Sequence, residues 1–251
     1  MSTAPRKHSG SAAAPYAAVR DLVVANRILA NEGIVDAFGH VSARHPVNPM
    51  RYLISRSLAP ELVQGEDILV LDLDSNPVTA TTASLYLERY IHGEIYRRRP
   101  DVQAIVHSHS PTTIPFGVTR VKLRPIFHMG GFLGKEAPIF EIRDEVKHSD
   151  MLVRTPALGV ALAETLGPHA LALMRGHGNV VVAADIKVAV FRAIYCEVNA
   201  RLQLQALNLD DRPRYLSETE AEHADATNMK VISRPWRYWA ERAGCAGLLD
   251  S

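Results

Sequence analysis

The chain has 251 residues, with 28 Lys and Arg against 27 Asp and Glu and a formal net charge of +1. That length fits one sizeable domain, and a net charge this close to zero gives no bulk electrostatic case for nucleic-acid or membrane-surface binding. Two cysteines, Cys196 and Cys245, lack a CxxC or CxxH neighbour; they make neither a disulfide scaffold nor a zinc-finger framework and fit a reducing compartment.

Residues 1–15 are rich in Ala, Ser and Pro and lack the apolar core of a secretion signal, so they read as a flexible N-terminal tail ahead of a single domain over 16–251. No run of about eighteen apolar residues suggests a membrane span, and the expected location is cytoplasmic. Val19, Val23, Ile28 and Leu29 fall at helical spacing across 16–32, with Gly33 as the stop. Ala37–His45 reads as strand and turn, Ile68–Leu73 as a buried strand, and Asp74-Ser75-Asn76-Pro77 as a turn. Leu87, Ile91 and Ile95 predict a helix over Ser84–Arg99, ended by Pro100. Val102–Val106 is a strand leading into His107, and Ser110-Pro111 reads as the capped start of a helix. The same device recurs at Thr155-Pro156, and Gly167-Pro168 closes that helix. Ala170–Met174 and Asn179–Val182 are strands flanking the tight turn Arg175–Gly178, and Asp185 caps a long helix over 186–208. The last forty residues are charged and aromatic. Strands and helices alternate without a repeated βαβ register, which favours a three-layer α/β/α domain with a mixed sheet over a Rossmann fold or a TIM barrel.

His107-Ser108-His109 closes a predicted strand, where residues two apart share a face and two imidazoles can address one ion. Eleven histidines make one such pair unsurprising by chance. Two further features strengthen it. His177 stands between Gly176 and Gly178 in a turn after a strand, where glycine permits close approach. Glu88 precedes the HxH strand, with His92 four residues on. Three histidines and a carboxylate can hold a catalytic divalent cation with room for substrate. Three imidazoles suit zinc and an oxygen-rich substrate shell suits manganese, with cobalt and magnesium also compatible.

The run from Glu88 through His92, Tyr96, Arg99-Pro100-Asp101, His107 and His109 to Pro111, the later Gly176-His177-Gly178, and Gly39-His40-Val41-Ser42 together resemble the class II aldolase/adducin family over roughly residues 20–210. The resemblance implies an α/β fold of three layers, α/β/α, with a mixed, largely antiparallel central sheet. It implies one divalent metal ion per subunit held by His107, His109 and His177, and Glu88 as general acid/base able to approach the metal. It also implies a homotetramer with sites near subunit interfaces, where the segment from about 210 to 251, including Tyr215 and Tyr238, can complete a neighbour's site.

The chain departs from the family's sugar-phosphate aldolases at three places. Asn becomes His40, the phosphate loop reads Ser55-Arg56-Ser57-Leu58-Ala59-Pro60 without a glycine, and Tyr86-Leu87 replaces a Ser-Ser pair. Leucines offer a phosphate no hydroxyl, whereas Arg56 has a planar fork suited to a carboxylate. These changes resemble a decarboxylating branch that acts on aromatic ortho-dicarboxylates with a neighbouring hydroxyl, such as 3,4-dihydroxyphthalate or 3-hydroxy-2-methylpyridine-4,5-dicarboxylate. The expected partner is then a small aromatic dicarboxylate, with no nucleic acid and no membrane. Arg56, Ser55, Ser57 and Tyr238 are the expected substrate contacts, and Glu88 or His40 the proton donor. The competing expectations are an aldolase or epimerase on a hydroxy-carbonyl substrate and a non-catalytic adducin-like interaction domain.

Overall fold

A computed structural model describes residues 15–249; the predicted tail, apart from Pro15, lies outside them. The helices are α1 Tyr16–Asn31, α2 Arg89–Arg98, α3 Ile114–Val118, α4 Pro156–Leu166, α5 Ile186–Leu209, α6 Glu218–Met229, α7 Ser233–Arg242 and α8 Ala246–Leu249. The strands are β1 His40–Arg44, β2 Arg51–Ser55, β3 Ile68–Asp72, β4 Ala104–Ser108, β5 Ile139–Phe140, β6 Leu171–Met174 and β7 Gly178–Ala183. They form one sheet in the order β3-β2-β1-β4-β7-β6-β5. Every pairing is antiparallel except β5 with β6. The mixed, largely antiparallel sheet is as expected from the sequence.

Alternation along the strands sends side chains to two cores. Ala104 and Val106 of β4 join one, with Leu22 and Ile28 of α1, Phe191 of α5 and Trp236 and Trp239 of α7. Ile105 joins the other, with Ile91 and Ile95 of α2 and Leu158 and Leu162 of α4. Helices therefore cover both faces, which is why β6 and most of β7 read as continuous apolar runs rather than alternating. Among the described residues no helix is long and apolar enough to cross a membrane.

Two expectations are corrected. The helix predicted from Ser84 begins only at Arg89, leaving Glu88 at its N-cap. Tertiary contacts hold residues 84–86 out of the helix: the Ser84 carbonyl accepts from the Ser57 N–H, and the Tyr86 hydroxyl donates to the Leu58 carbonyl at 2.6 Å. No helix starts at Ser110-Pro111, because the Ser110 hydroxyl donates to Glu197 instead of capping, and a short helix follows only at Ile114. The C-terminal forty residues hold three helices, one opened by a Ser217–Glu220 capping box.

Arg44 ties β1 to the end of α2. Its buried guanidinium donates to the carbonyls of Val102, Pro49, Tyr96 and Arg99 at 2.9, 2.7, 2.8 and 2.9 Å. Two of these belong to the C-terminal turn of α2, whose carbonyls have no helical partner. Arg44→Met should therefore lower the unfolding free energy by about 2–3 kcal/mol in chemical denaturation, through lost charged hydrogen bonds and carbonyls left without donors.

Candidate metal centre

The site lies at the ends of β1, β4 and β7, on the face covered by α2 and α4. His40 of β1 pairs in register with His107 of β4. The β1 entry is tight: Gly39 has φ +94°, and a Cβ there would press on Val35 and on the His107 carbonyl. The β6–β7 turn supplies His177 after Gly176, whose φ is +64°. Glu88 is held at the start of α2 by the Val153 N–H, which donates to its Oε1 at 2.8 Å.

These elements bring one ligand atom each from Glu88, His107, His109 and His177 within 4.8 Å of one another. Glu88 Oε2 is 3.5 Å from His107 Nε2 and 3.4 Å from His177 Nε2, and the Nε2 atoms of His109 and His177 are 3.0 Å apart. The protonation of two rings follows from their other nitrogen. His107 Nδ1 lies 3.0 Å from the Asn179 carbonyl and His177 Nδ1 lies 2.8 Å from the Met151 carbonyl. A carbonyl only accepts, so both Nδ1 atoms carry the proton and donate, and in the neutral rings both Nε2 lone pairs face the carboxylate.

That is the fit test for a cation. Facing lone pairs and a carboxylate repel unless positive charge lies among them, and His107 Nε2 is fully buried without a hydrogen-bond partner. Such an orphaned polar atom is costly in an apolar protein and ordinary as a metal ligand. The residues therefore fit a divalent cation. A proton on either ring supplies the same positive charge. Burial works against the Glu88 charge, but the His107 and His177 imidazoles hold its carboxyl well below the usual carboxylate range. Burial alone would lower His177, yet the Glu88 carboxylate raises it above its ordinary value. Burial, then His107 and His177, pushes His109 down to about 4.

A cavity of about 400 Å³ opens beside this cluster. Its polar wall is His40, Ser57, Glu88, His107 and His109; its apolar wall is Phe38, Leu58, Leu87 and Leu152. Of the expected substrate contacts, only Ser57 lines it. Ser55 is buried behind, its hydroxyl 3.1 Å from that of Tyr86. Arg56 does not line the cavity: its Nε donates to Asp67 at 2.6 Å, so the carboxylate grip read onto it has no support in this geometry. Asp67 holds it because that carboxylate also closes a capping box with Gln64. Tyr238 is exposed on α7, away from this chain's cavity. His92 stands in a buried layer behind His40 rather than in the ligand set. Of the apolar wall, Leu58 and Leu87 stood out in the sequence, whereas Phe38 and Leu152 escaped it, since they sit in irregular segments with no periodicity to flag them.

Residues 20–204 match the model of the class II aldolase and adducin N-terminal domain, and the chain belongs to that family. It is 35% identical to the decarboxylase tropJ of Talaromyces stipitatus, over 92% of this chain and 95% of that protein. It is 28% identical to the 3,4-dihydroxyphthalate decarboxylase of Arthrobacter keyseri, over 96% of this chain and 97% of that protein. The structure of L-fuculose 1-phosphate aldolase from Glaciozyma antarctica superposes with a TM-score of 0.75 at 21% identity, covering 96% of this chain and 95% of that one. That likeness is one of fold.

Removing one ligand should cost more than the roughly 10–100-fold in metal affinity typical of losing an outer-shell partner. His177→Ala should thus lower divalent-metal affinity by more than about 100-fold in a calorimetric titration. Affinity should also depend on pH. A proton on His177 competes with the cation, and its pKa is raised, so binding should weaken progressively as pH falls through and below that raised value.

Proposed function

We propose that this chain is a divalent-metal-dependent decarboxylase, a carbon–carbon lyase acting on a hydroxylated aromatic carboxylate of the ortho-dicarboxylate class, such as 3,4-dihydroxyphthalate or a 3-hydroxypyridine-dicarboxylate. The observation that carries this reading is the pairing of the histidine–carboxylate cluster with an apolar slot. Where a sugar phosphate would need converging N–H and hydroxyl donors, Leu58, Ala59 and Leu87 line the wall. A flat ring can lie between Phe38 and the leucines, with its hydroxyl and carboxylate turned to the polar wall.

His107, His109, His177 and Glu88 would hold the ion, zinc or manganese by their donor chemistry. When bound, the ion supplies Lewis-acid charge stabilisation for electrons released from the broken C–C bond. The rest falls to the protein. Glu88 is fixed by the Val153 N–H through Oε1 and presents Oε2 to the cavity side of the cluster. Its lowered pKa keeps it ionised, so it holds no proton to donate at the outset and has a free oxygen to accept one. In our reading it takes the phenolic proton as substrate enters and returns it to the ring carbon that loses carbon dioxide. The carboxylate departs as CO2, the C–C electron pair stays on the ring carbon, and the proton closes the new C–H bond.

His40 is the rival donor from the sequence. Burial, then His92 and His107, lowers its pKa well below the ordinary histidine value, so it is neutral at pH 7 and suited to hydrogen-bonding a substrate oxygen. Ser57 is the remaining hydroxyl for a retained carboxylate. A homotetramer in which Tyr238 completes a neighbouring site belongs to the same reading, supported by the exposure of Tyr238 on α7.

Purified protein with Mn²⁺ and 3,4-dihydroxyphthalate should release CO2 in a coupled assay, and His107→Ala should release none. Glu88→Gln should lower kcat by at least about 100-fold, the range of a lost general acid–base group. Retro-aldol cleavage of a hydroxy-ketone, with no CO2 from any hydroxylated aromatic dicarboxylate, would overturn the decarboxylase reading.

A further inference from the structure

Behind His40 runs a buried chain of four polar side chains. His40 Nδ1 lies 2.6 Å from His92 Nε2. His92 Nδ1 lies 2.6 Å from the Ser42 hydroxyl, which lies 2.8 Å from the Tyr96 hydroxyl. All four residues are at most 4% exposed. Among the described residues the Tyr96 hydroxyl has no hydrogen-bond partner besides Ser42.

Four groups in a row can be protonated in two continuous senses; if Tyr96 and His92 both donate to Ser42, the Ser42 proton is itself left without an acceptor. In one, Tyr96 donates to Ser42, Ser42 to His92 Nδ1, and His92 Nε2–H to His40 Nδ1; every proton within the chain is used. In the other, His40 Nδ1–H donates to His92, His92 to Ser42, and Ser42 to Tyr96; the phenolic O–H of Tyr96, a buried member of the apolar core under α2, is then left without an acceptor. A buried donor without an acceptor biases the equilibrium against that sense by about tenfold or more. The favoured sense leaves the one remaining proton on His40 Nε2, the nitrogen not engaged by His92, on a residue that lines the cavity.

We propose that Tyr96, Ser42 and His92 form a one-way run of donors that holds His40 as its Nε2–H tautomer, with His92 as the positioning residue, so that His40 offers the substrate a neutral N–H and no lone pair. The role of that N–H rests on the decarboxylase reading; the tautomer does not. Nor does the run act as a proton wire. Drawing a proton out through His40 would shift one proton along each link and leave a tyrosinate at Tyr96, whose buried phenol is pushed well above its ordinary pKa. The dead end makes the run a lock. His40 then accepts no proton from the substrate, and the base remains Glu88.

Two-bond proton–nitrogen correlation spectra of the full-length, zinc-loaded protein with ¹⁵N-labelled histidine read the tautomer directly. The wild type should show His40 neutral with its proton on Nε2, and His92 likewise. Ser42→Ala removes the central donor and should move the His40 nitrogens toward the averaged pattern of mixed tautomers, while bound zinc stays at one per chain by mass spectrometry. Ser42→Thr restores a hydroxyl and should restore the wild-type pattern. A wild-type His40 protonated on Nδ1, or on both nitrogens at pH 7, overturns the proposal, as does an unchanged His40 pattern in a folded Ser42→Ala. If that variant does not fold, the wild-type spectrum alone decides. A wild type that releases no CO2 but shows the expected tautomer removes the decarboxylase reading and leaves the lock standing.

Discussion

The site depends on two hydrogen bonds that point away from it. His107 and His177 each give an Nδ1 proton to a backbone carbonyl, of Asn179 and Met151. Without those acceptors each ring is free to take the opposite tautomer and present a proton to the cluster. With them, lone pairs converge on the place where Glu88 also points, and a cation becomes the natural occupant. Asn179 belongs to β7, paired directly across from Ser108 of β4. The sheet that brings the histidines together therefore also fixes their protonation.

The same face of the sheet changes character along its length. Toward one end it is oily, with Ile54, Ile105 and Val182 under α2 and α4. Toward the other it carries His40 and His107, while Ser42 stands in the oily row itself between Ile54 and Ile105, all on the same side because strands alternate with period two. Polar side chains at the rim of a dry layer need partners inside the protein. The structure provides them in tiers: the Asn179 and Met151 carbonyls for the ligand histidines His107 and His177, His92 for His40, Ser42 and Tyr96 for His92. His40, His92, Ser42 and Tyr96 thus form one hydrogen-bonded run, with the candidate ion site beside its His40 end.

Much of this was legible in the sequence. Apolar runs located β3, β4, β6 and β7, helical spacing located α1, and capping and stop residues located α4 and α5, where Thr155 and Asp185 do cap their helices. The four proposed ligands meet because their signals were positional: a strand-end HxH, a histidine between glycines, a glutamate ahead of the strand. What stayed hidden depends on partners distant in the chain. The loop at Ser84–Tyr86 has helical composition but is claimed by Ser57 and Leu58. Arg56 looks like a carboxylate fork for the substrate until Asp67, eleven residues on, ties its Nε and draws it away from the cavity lining. His92 carries a helix-periodic position and reads as a companion of Glu88. Only the fold shows that it stands one layer back, against His40.

The departures from the sugar-phosphate aldolases form a coherent set once placed in space. Aldol cleavage and aryl decarboxylation both leave an electron pair on a carbon next to an oxygen, so the same ligand set and the same carboxylate can serve either. What must change is the grip on the rest of the molecule. A tetrahedral polyanion needs many donors in a cup, whereas a ring needs two apolar planes and a few donors at one edge. Leu58 and Leu87 stand at the cavity wall where donors would otherwise converge. His40 occupies the position of a family asparagine and brings with it a need for a partner on Nδ1, which His92 meets. An asparagine side chain offers both a donor and an acceptor to whatever enters; a tautomer-locked imidazole offers a donor only. That narrowing favours a substrate edge made of acceptor oxygens, as in an ionised carboxylate, and disfavours the hydroxyl-rich face of a sugar, whose protons would find no lone pair on His40 to receive them.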